Sequence, residues 1–298
     1  GHSPAARRAA RTPSRLSAAL VDLVLVGRPI PTHLIDELAQ LSQAGAVTAM
    51  PPAAVRLRKA KPHPEIAARC AAARIDFAFV EPGRRLADFG LLATDMDSTL
   101  ISIECIDEVA DFAGRKAEVA AITETAMQGR IDYAESLRQR VALLAGLPER
   151  VLDQVFEERL SLNPGAETLL HAARTAGLKT QLVSGGFSYF TERLKADLGF
   201  DYAAANQLEI VDGKLTGRVL GKIIDAAGKA RCVAETRDRL GLGRSQVITI
   251  GDGANDLLMM AESALSVAYH AKPVVREKAS AKLDHAGLDG ILALFEDA

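Results

Sequence analysis

Asp95-Met96-Asp97-Ser98-Thr99-Leu100 directly follows the apolar run Phe89-Gly90-Leu91-Leu92-Ala93-Thr94. The apolar run predicts a buried strand, and the two carboxylates then stand at its carboxyl end, where α/β proteins bind their ligands. Carboxylates two residues apart can supply a nucleophile and a proton donor, which favours phosphoryl transfer through an aspartyl-phosphate. The same composition also occurs in ordinary turns and helix caps, so later segments have to decide.

Two further predicted strands end in polar groups that suit charged ligands. Ser184-Gly185-Gly186 follows an apolar run and offers a hydroxyl, backbone N–H groups and a helix N-terminus to an anion. Gly251-Asp252-Gly253-Ala254-Asn255-Asp256 follows another such run. Its carboxylates favour a hard divalent cation over a dinucleotide pyrophosphate. Lys229 stands between these two segments, although a lone lysine is usually a solvated surface charge.

These four segments occur in the order found in the haloacid dehalogenase-like phosphatases: nucleophile loop, serine loop, lysine and acidic metal loop. Over about residues 89–285 the chain most resembles the phosphoserine phosphatases. The resemblance rests on five stretches: Asp95-Met96-Asp97-Ser98-Thr99, Ile103-Glu104-Cys105-Ile106-Asp107-Glu108, Ser136-Leu137-Arg138-Gln139-Arg140-Val141, Val183-Ser184-Gly185-Gly186-Phe187 and Gly251-Asp252-Gly253-Ala254-Asn255-Asp256. This combination is far more specific than the Asp-x-Asp pair alone.

The resemblance implies magnesium-dependent hydrolysis of L-phosphoserine to L-serine and phosphate, the last step of serine biosynthesis. Asp95 would be the nucleophile and Asp97 the general acid and base. Mg²⁺ would be held by the Asp95 carboxylate, the Asp97 backbone carbonyl and Asp252. The residues implied to bind or enclose the substrate are Glu104 for its ammonium, Arg140 for its carboxylate, Ser184, Gly185 and Lys229 for its phosphate, Asn255 beside the metal ligands, and Met127 and Tyr133 as pocket walls. Tyr133 replaces a phenylalanine that is common in the family.

Two other functions stay open at this point. A phosphotransferase could pass the phosphoryl group from Asp95 to another hydroxy amino acid, such as homoserine. A non-catalytic amino-acid sensor could use the same scaffold, although the presence of Asp95, Asp97, Ser184, Lys229 and Asp252 argues against it.

Composition excludes several other classes of protein. Hydrophobic residues make up 48% and charged residues 25% of the 298 residues, which is ordinary for a globular protein. A net charge of -2 gives no basic field for nucleic acid, and no apolar stretch is long enough to span a membrane. Three widely spaced cysteines suggest neither disulfides nor a cysteine metal site, so we expect a cytoplasmic protein. The sequence leaves a homodimer open.

The pattern of elements predicts two domains after residues 1–17, which have the composition of a tag or disordered extension. Residues 18–88 predict a small α+β, ferredoxin-like domain, with strands near 20–26, 47–57 and 76–80 and helices near 32–44 and 63–74. Residues 89–298 predict a doubly wound parallel sheet with a helical cap inserted at about 103–163. The expected cap helices are Glu104–Ala113, Ala117–Met127, Asp132–Leu144 and Pro148–Arg159, and a hairpin is expected at 208–216.

Overall fold

The N-terminal domain is a four-stranded antiparallel sheet with two helices on one face. The structure is a computed structural model that describes residues 20–50 and 53–298. The extension expected at residues 1–17 lies outside these residues. The strand order is β2-β3-β1-β4. The elements are β1 (Val21–Val26), α1 (Thr32–Leu41), β2 (Ala46–Met50), β3 (Ala54–Ala60), α2 (Glu65–Ala73) and β4 (Asp76–Val80). This arrangement confirms the predicted small α+β domain.

The single strand predicted near 47–57 is wrong. The structure has two strands there, β2 and β3, which pair antiparallel with Val47 opposite Leu57. The sequence between them contains Pro51-Pro52, and proline has no backbone N–H to donate to a strand ladder. That dipeptide was the signal against one continuous strand.

Strand β1 is apolar on both faces, and each face is buried against a different layer. Leu23 and Leu25 pack with the two helices of the N-terminal domain. Val24 and Val26 belong to the same hydrophobic core as the second domain. A strand that is covered on both sides needs apolar residues at consecutive positions, which explains the run Leu23-Val24-Leu25-Val26.

The second domain is a seven-stranded sheet in the order β11-β10-β9-β5-β6-β7-β8, parallel except for β8. Its strands are β5 (Leu91–Thr94), β6 (Lys179–Phe187), β7 (Tyr202–Val211), β8 (Lys214–Leu220), β9 (Val247–Gly251), β10 (Leu265–Tyr269) and β11 (Ala281–Leu283). Helices cover both faces: Leu92 belongs to a hydrophobic core with residues of α7 (Ala166–Thr175) and α8 (Ser188–Leu198), and Leu91 to a separate core with Val233 of α9 (Ala226–Arg239). The predicted doubly wound fold is confirmed. The helices that follow the cap are α7 (Ala166–Thr175), α8 (Ser188–Leu198), α9 (Ala226–Arg239), α10 (Leu257–Met260) and α11 (Pro273–Lys278), and short 3₁₀ turns cover Leu86–Asp88, Arg244–Gln246, Ala254–Asp256 and Leu288–Leu294.

The cap lies between β5 and β6 in the chain and is helical, as predicted. Its helices are α3 (Cys105–Phe112), α4 (Lys116–Met127), α5 (Tyr133–Ala142) and α6 (Arg150–Gln154). The fourth predicted helix, Pro148–Arg159, ends at Arg159 as expected, but only Arg150–Gln154 is α-helical, and Val155–Arg159 continues it as a π-helical turn. The β7–β8 hairpin is hydrogen-bonded to the segment between α5 and α6. Gly146 N–H donates to the Leu215 carbonyl (2.8 Å), and Leu215 N–H donates to the Leu147 carbonyl (2.9 Å).

A carboxylate joins the two domains. Asp76, 4% exposed, accepts hydrogen bonds from the backbone N–H groups of Asp284, His285 and Ala286 at 2.7, 3.0 and 2.7 Å. Nearby, the backbone of Gly290 approaches Val26 so closely that a Cβ at position 290 would lie 3.3 Å from Val26 Cγ1. In residues 20–50 and 53–298, no helix has both the length and the apolar character needed to cross a membrane.

Candidate active site

The carboxyl ends of β5, β6 and β9 lie side by side because β5 pairs in parallel with both of the other strands. Asp95 directly follows β5, and its N–H donates to the Ile250 carbonyl of β9 (3.0 Å). Ser184 lies near the end of β6, and Asp252 directly follows β9. The sheet therefore gathers the three predicted loops at one edge, as parallel strands require.

Lys229 lies in the first turn of α9 and is buried between two carboxylates. Its Nζ is 2.7 Å from Asp95 Oδ1 and 2.6 Å from Asp256 Oδ1, and the side chain is 1% exposed. Burial alone would lower the pKa of Lys229, but the charges of Asp256 and Asp95 more than offset that effect and raise its pKa. Lys229 is therefore a permanent cation beside the proposed nucleophile.

Three carboxylates converge at the same edge of the sheet. One oxygen each of Asp95, Asp252 and Asp256 lies within 4.8 Å of the others. Asp256 uses Oδ2 to accept from the N–H groups of Asp252 (3.1 Å) and Gly253 (3.2 Å), which fixes the acidic loop. Thr99 Oγ1 donates to Asp252 Oδ1 (3.0 Å). This cluster of carboxylate oxygens, in which Lys229 is the one cation in ion-pair contact among residues 20–50 and 53–298, fits a hard divalent ion.

Asp97 lies between the start of the cap and the serine loop. Its Oδ1 accepts from the N–H of Cys105 at the start of α3 (3.0 Å). A Cβ on Gly186 would lie 2.9 Å from Asp97 Oδ2, so a larger residue at position 186 would displace this carboxylate. Burial and the neighbouring charge of Asp95 raise the pKa of Asp97 to about 6. The carboxyl group therefore holds a proton more readily than an exposed aspartate does.

The cap presents one acidic and one basic side chain. Glu104 stands directly before α3 and accepts from Ser98 Oγ (2.7 Å). Glu104 is exposed as a residue, but the surrounding protein still desolvates its carboxylate, and this desolvation together with the charge of Asp97 raises the pKa of Glu104 to about 8. Arg140, in the last turn of α5, donates to the Ser136 carbonyl (3.3 Å), and its guanidinium lies 5.8 Å from the centre of the Tyr133 ring. Within the described part of the chain, neither Glu104 nor Arg140 forms an ion pair.

The family model for haloacid dehalogenase-like hydrolases matches residues 92–261, which contain all of these groups. The chain belongs to this family.

Relatives of this haloacid dehalogenase-like hydrolase share most of its length. It is 57% identical over 220 residues to a phosphoserine phosphatase of Polaromonas sp., which covers 72% of this chain and 93% of the relative. A crystal structure of a probable phosphoserine phosphatase from Vibrio cholerae, in its unliganded form, matches with a TM-score of 0.82 and 38% identity over 92% of this chain and 86% of that one. A phospho-aspartyl intermediate analogue of phosphoserine phosphatase matches with a TM-score of 0.65 and 36% identity, over 70% of this chain and 99% of that one.

Two of the predicted site residues of this haloacid dehalogenase-like hydrolase make no side-chain hydrogen bond within residues 20–50 and 53–298. Met127 is the last residue of α4, and 74% of it is exposed. Asn255 lies half-buried in the 3₁₀ turn Ala254–Asp256. Their assigned roles stay predictions. In contrast, the ion pair of Asp256 with Lys229 was not predicted, although the position of Asp256 in the acidic loop was a usable signal.

Proposed function

We propose that this chain hydrolyses L-phosphoserine to L-serine and phosphate, with Mg²⁺ as its cofactor. The observation that carries the proposal is the pair of unpaired cap charges, Glu104 and Arg140, beside a phosphoryl-transfer centre. A phosphomonoester that also carries an ammonium and a carboxylate would supply the missing opposite charge to each. The relatives named phosphoserine phosphatase support the same substrate.

In the first half of the reaction, a carboxylate oxygen of Asp95 attacks phosphorus. A bond from Asp95 to phosphorus forms as the bond from phosphorus to the serine oxygen breaks. Asp97 gives its proton to the departing oxygen, for which its raised pKa prepares it. Lys229 and the Ser184 hydroxyl donate to the phosphate oxygens and stabilise the charge on the group in transfer.

In the second half, water attacks the aspartyl-phosphate and Asp97 takes up its proton. The bond between phosphorus and Asp95 breaks, which restores the carboxylate and releases phosphate. Asp95, Asp252 and the Asp97 carbonyl would hold the Mg²⁺ ion, and the convergence of carboxylate oxygens from Asp95, Asp252 and Asp256 fits such an ion. When bound, Mg²⁺ offsets the repulsion between the Asp95 carboxylate and the phosphate dianion.

The specificity of the site follows from the cap. A planar guanidinium such as that of Arg140 suits a carboxylate, and a carboxylate such as that of Glu104 suits one ammonium. The entering ammonium lowers the pKa of Glu104 again, because a nearby positive charge favours the ionised carboxylate.

A substrate panel tests the proposal. Release of inorganic phosphate from phosphoserine, phosphothreonine and p-nitrophenyl phosphate should be measured with Mg²⁺ and with a chelator. We expect the highest kcat/KM with phosphoserine and no turnover in chelator. Absence of magnesium-dependent turnover would refute the enzymatic function. Added homoserine that diverted the phosphoryl group from water would indicate the phosphotransferase instead.

We also propose the cytoplasm as the compartment, because a reducing environment suits Cys70, Cys105 and Cys232, which form no disulfide. Localisation of a tagged chain by cell fractionation tests this. The homodimer that the sequence left open stays a prediction, and light scattering of the purified protein measures it directly.

A further inference from the structure

The carbonyl of Gly185, next to Ser184, is held by two side chains from separate parts of the fold. Tyr133 Oη, at the start of the cap helix α5, donates to it at 2.7 Å. Asn206 Nδ2, on β7, donates to it at 2.9 Å. A carbonyl has two lone pairs, and here both are in use.

Asn206 connects this carbonyl to the segment that leads into α9. Its side chain is buried, with 2% exposure, and its Oδ1 accepts from the Ile224 N–H (2.7 Å). Ile224 directly precedes Asp225, whose carboxylate caps the first turn of α9 by accepting from the Gly228 N–H (2.8 Å). Lys229 is the next residue after Gly228, and it reaches Asp95. One amide therefore lies between the serine loop and the helix that carries the lysine.

The orientation of the Gly185–Gly186 peptide determines what the Ser184 hydroxyl can do. The carbonyl of this peptide is fixed by Tyr133 and Asn206, and its N–H donates to Ser184 Oγ at 2.9 Å. Because Ser184 Oγ already accepts that hydrogen bond, its own proton is left to donate. A phosphate oxygen is the acceptor that the proposed reaction supplies.

We propose that Asn206 is a positioning residue that fixes the relative positions of the two phosphate-binding groups, Ser184 and Lys229. It acts through the Gly185 carbonyl and the Ile224 N–H and touches neither the metal cluster nor the cap charges. The proposal rests on the proposed function only in that Ser184 and Lys229 contact the phosphoryl group. It applies to every phosphomonoester, so it does not depend on recognition of serine.

Asn206→Asp tests the proposal, because it keeps the shape of the side chain and replaces the donor that faces the Gly185 carbonyl with an oxygen. We expect kcat to fall about 30-fold or more, and equally for phosphoserine and p-nitrophenyl phosphate, since small misplacements of binding groups cost about 100-fold. Asn206→Ala, measured in the same way, serves if the aspartate variant does not fold. Circular dichroism identifies the temperature at which each variant is folded.

Gln181 offers a matched control. It is also a buried amide that links the serine strand to α9, but it contacts the helix beyond Lys229, where Nε2 donates to Thr236 Oγ1 (2.9 Å) and the Cys232 carbonyl (3.3 Å). Gln181→Glu should lower stability as Asn206→Asp does, while kcat of the folded protein stays within about threefold of the wild type.

Two further measurements separate positioning from a structural role. Calorimetric titration with inorganic phosphate in the presence of Mg²⁺ should show weaker binding in Asn206→Asp and unchanged binding in Gln181→Glu. In a Ser184→Ala background, Asn206→Asp should cost much less than it does alone, because both changes affect one interaction. Wild-type phosphate affinity in Asn206→Asp, or fully additive losses with Ser184→Ala, would overturn the proposal. If the wild-type protein binds phosphate but does not hydrolyse phosphoserine, the proposed function is refuted. The comparison of phosphate binding between the wild type and Asn206→Asp would still test the role of Asn206.

Discussion

Replacing Lys229 with methionine should destabilise the metal-free protein strongly. Lys229 is 1% exposed and its ammonium lies 2.7 and 2.6 Å from two buried carboxylates. Methionine has a similar length but no charge, so Asp95 and Asp256 would be left buried with no cation between them. Breaking a buried ion pair in this way costs about 3–5 kcal/mol. At about 2 °C per kcal/mol for a chain of this size, the Tm should fall by about 6–10 °C.

The measurement is urea and thermal unfolding in chelator and then in Mg²⁺, with Lys222→Met as the control at an exposed lysine. Mg²⁺ should stabilise Lys229→Met more than the wild type, because the removed ammonium no longer repels the ion or occupies its carboxylates. Activity should be lost in both conditions. If Lys229→Met unfolds within about 1 kcal/mol of the wild type in chelator, or if Mg²⁺ stabilises both proteins equally, the account of this buried cluster is wrong.

Three further outcomes test the site and the domain boundary. Asp97→Asn should lower kcat about 100-fold or more while Mg²⁺ binding is kept, because its proposed metal ligand is a backbone carbonyl; unchanged turnover would remove its acid role. Glu104→Gln and Arg140→Ala should each cost about 2–4 kcal/mol in kcat/KM for phosphoserine and much less for p-nitrophenyl phosphate, and equal losses would assign both residues to cap closure. Removal of residues 1–88 should keep the catalytic activity, because a related solved chain aligns with 70% of this chain over 99% of its own length. Solubility and Tm should fall, since the truncation exposes apolar surface. A folded but inactive truncated protein would contradict this prediction.

The sequence located the main chemical groups because parallel strands place their following loops at one edge. Asp95 and Asp252 each follow an apolar strand and Ser184 lies near the end of another, so the sheet alone brings them together. It could not show which polar side chains meet across the site. The bonds from Asn206 to Gly185 and Ile224 span 21 and 18 residues and depend on the orientation of a single amide. No periodicity in the chain encodes such an orientation.

Two features of the N-terminal domain, one predicted wrongly and one not predicted, had signals in the sequence. Pro51-Pro52 was enough to divide the strand predicted at 47–57 into two. The consecutive apolar residues of β1, Leu23-Val24-Leu25-Val26, already indicated that the small sheet is covered on both faces. The exposure of Met127 is different, because α4 is a cap helix with Val119 as its buried residue and little in its pattern fixes where its end lies.

The close approach of Gly290 to Val26 has an evolutionary consequence. A side chain at position 290 would meet Val26 Cγ1, so in any descendant that keeps the N-terminal sheet the two positions cannot change independently. A lineage that loses the sheet is released only from the contact with Val26, because Ala286 Cβ (3.1 Å) and Leu283 Cδ1 (3.3 Å) of the same domain would still meet a Cβ at position 290. Comparison of relatives with and without the N-terminal domain should therefore show small residues at this position in both groups, whereas its partner at position 26 is conserved only where the sheet is present.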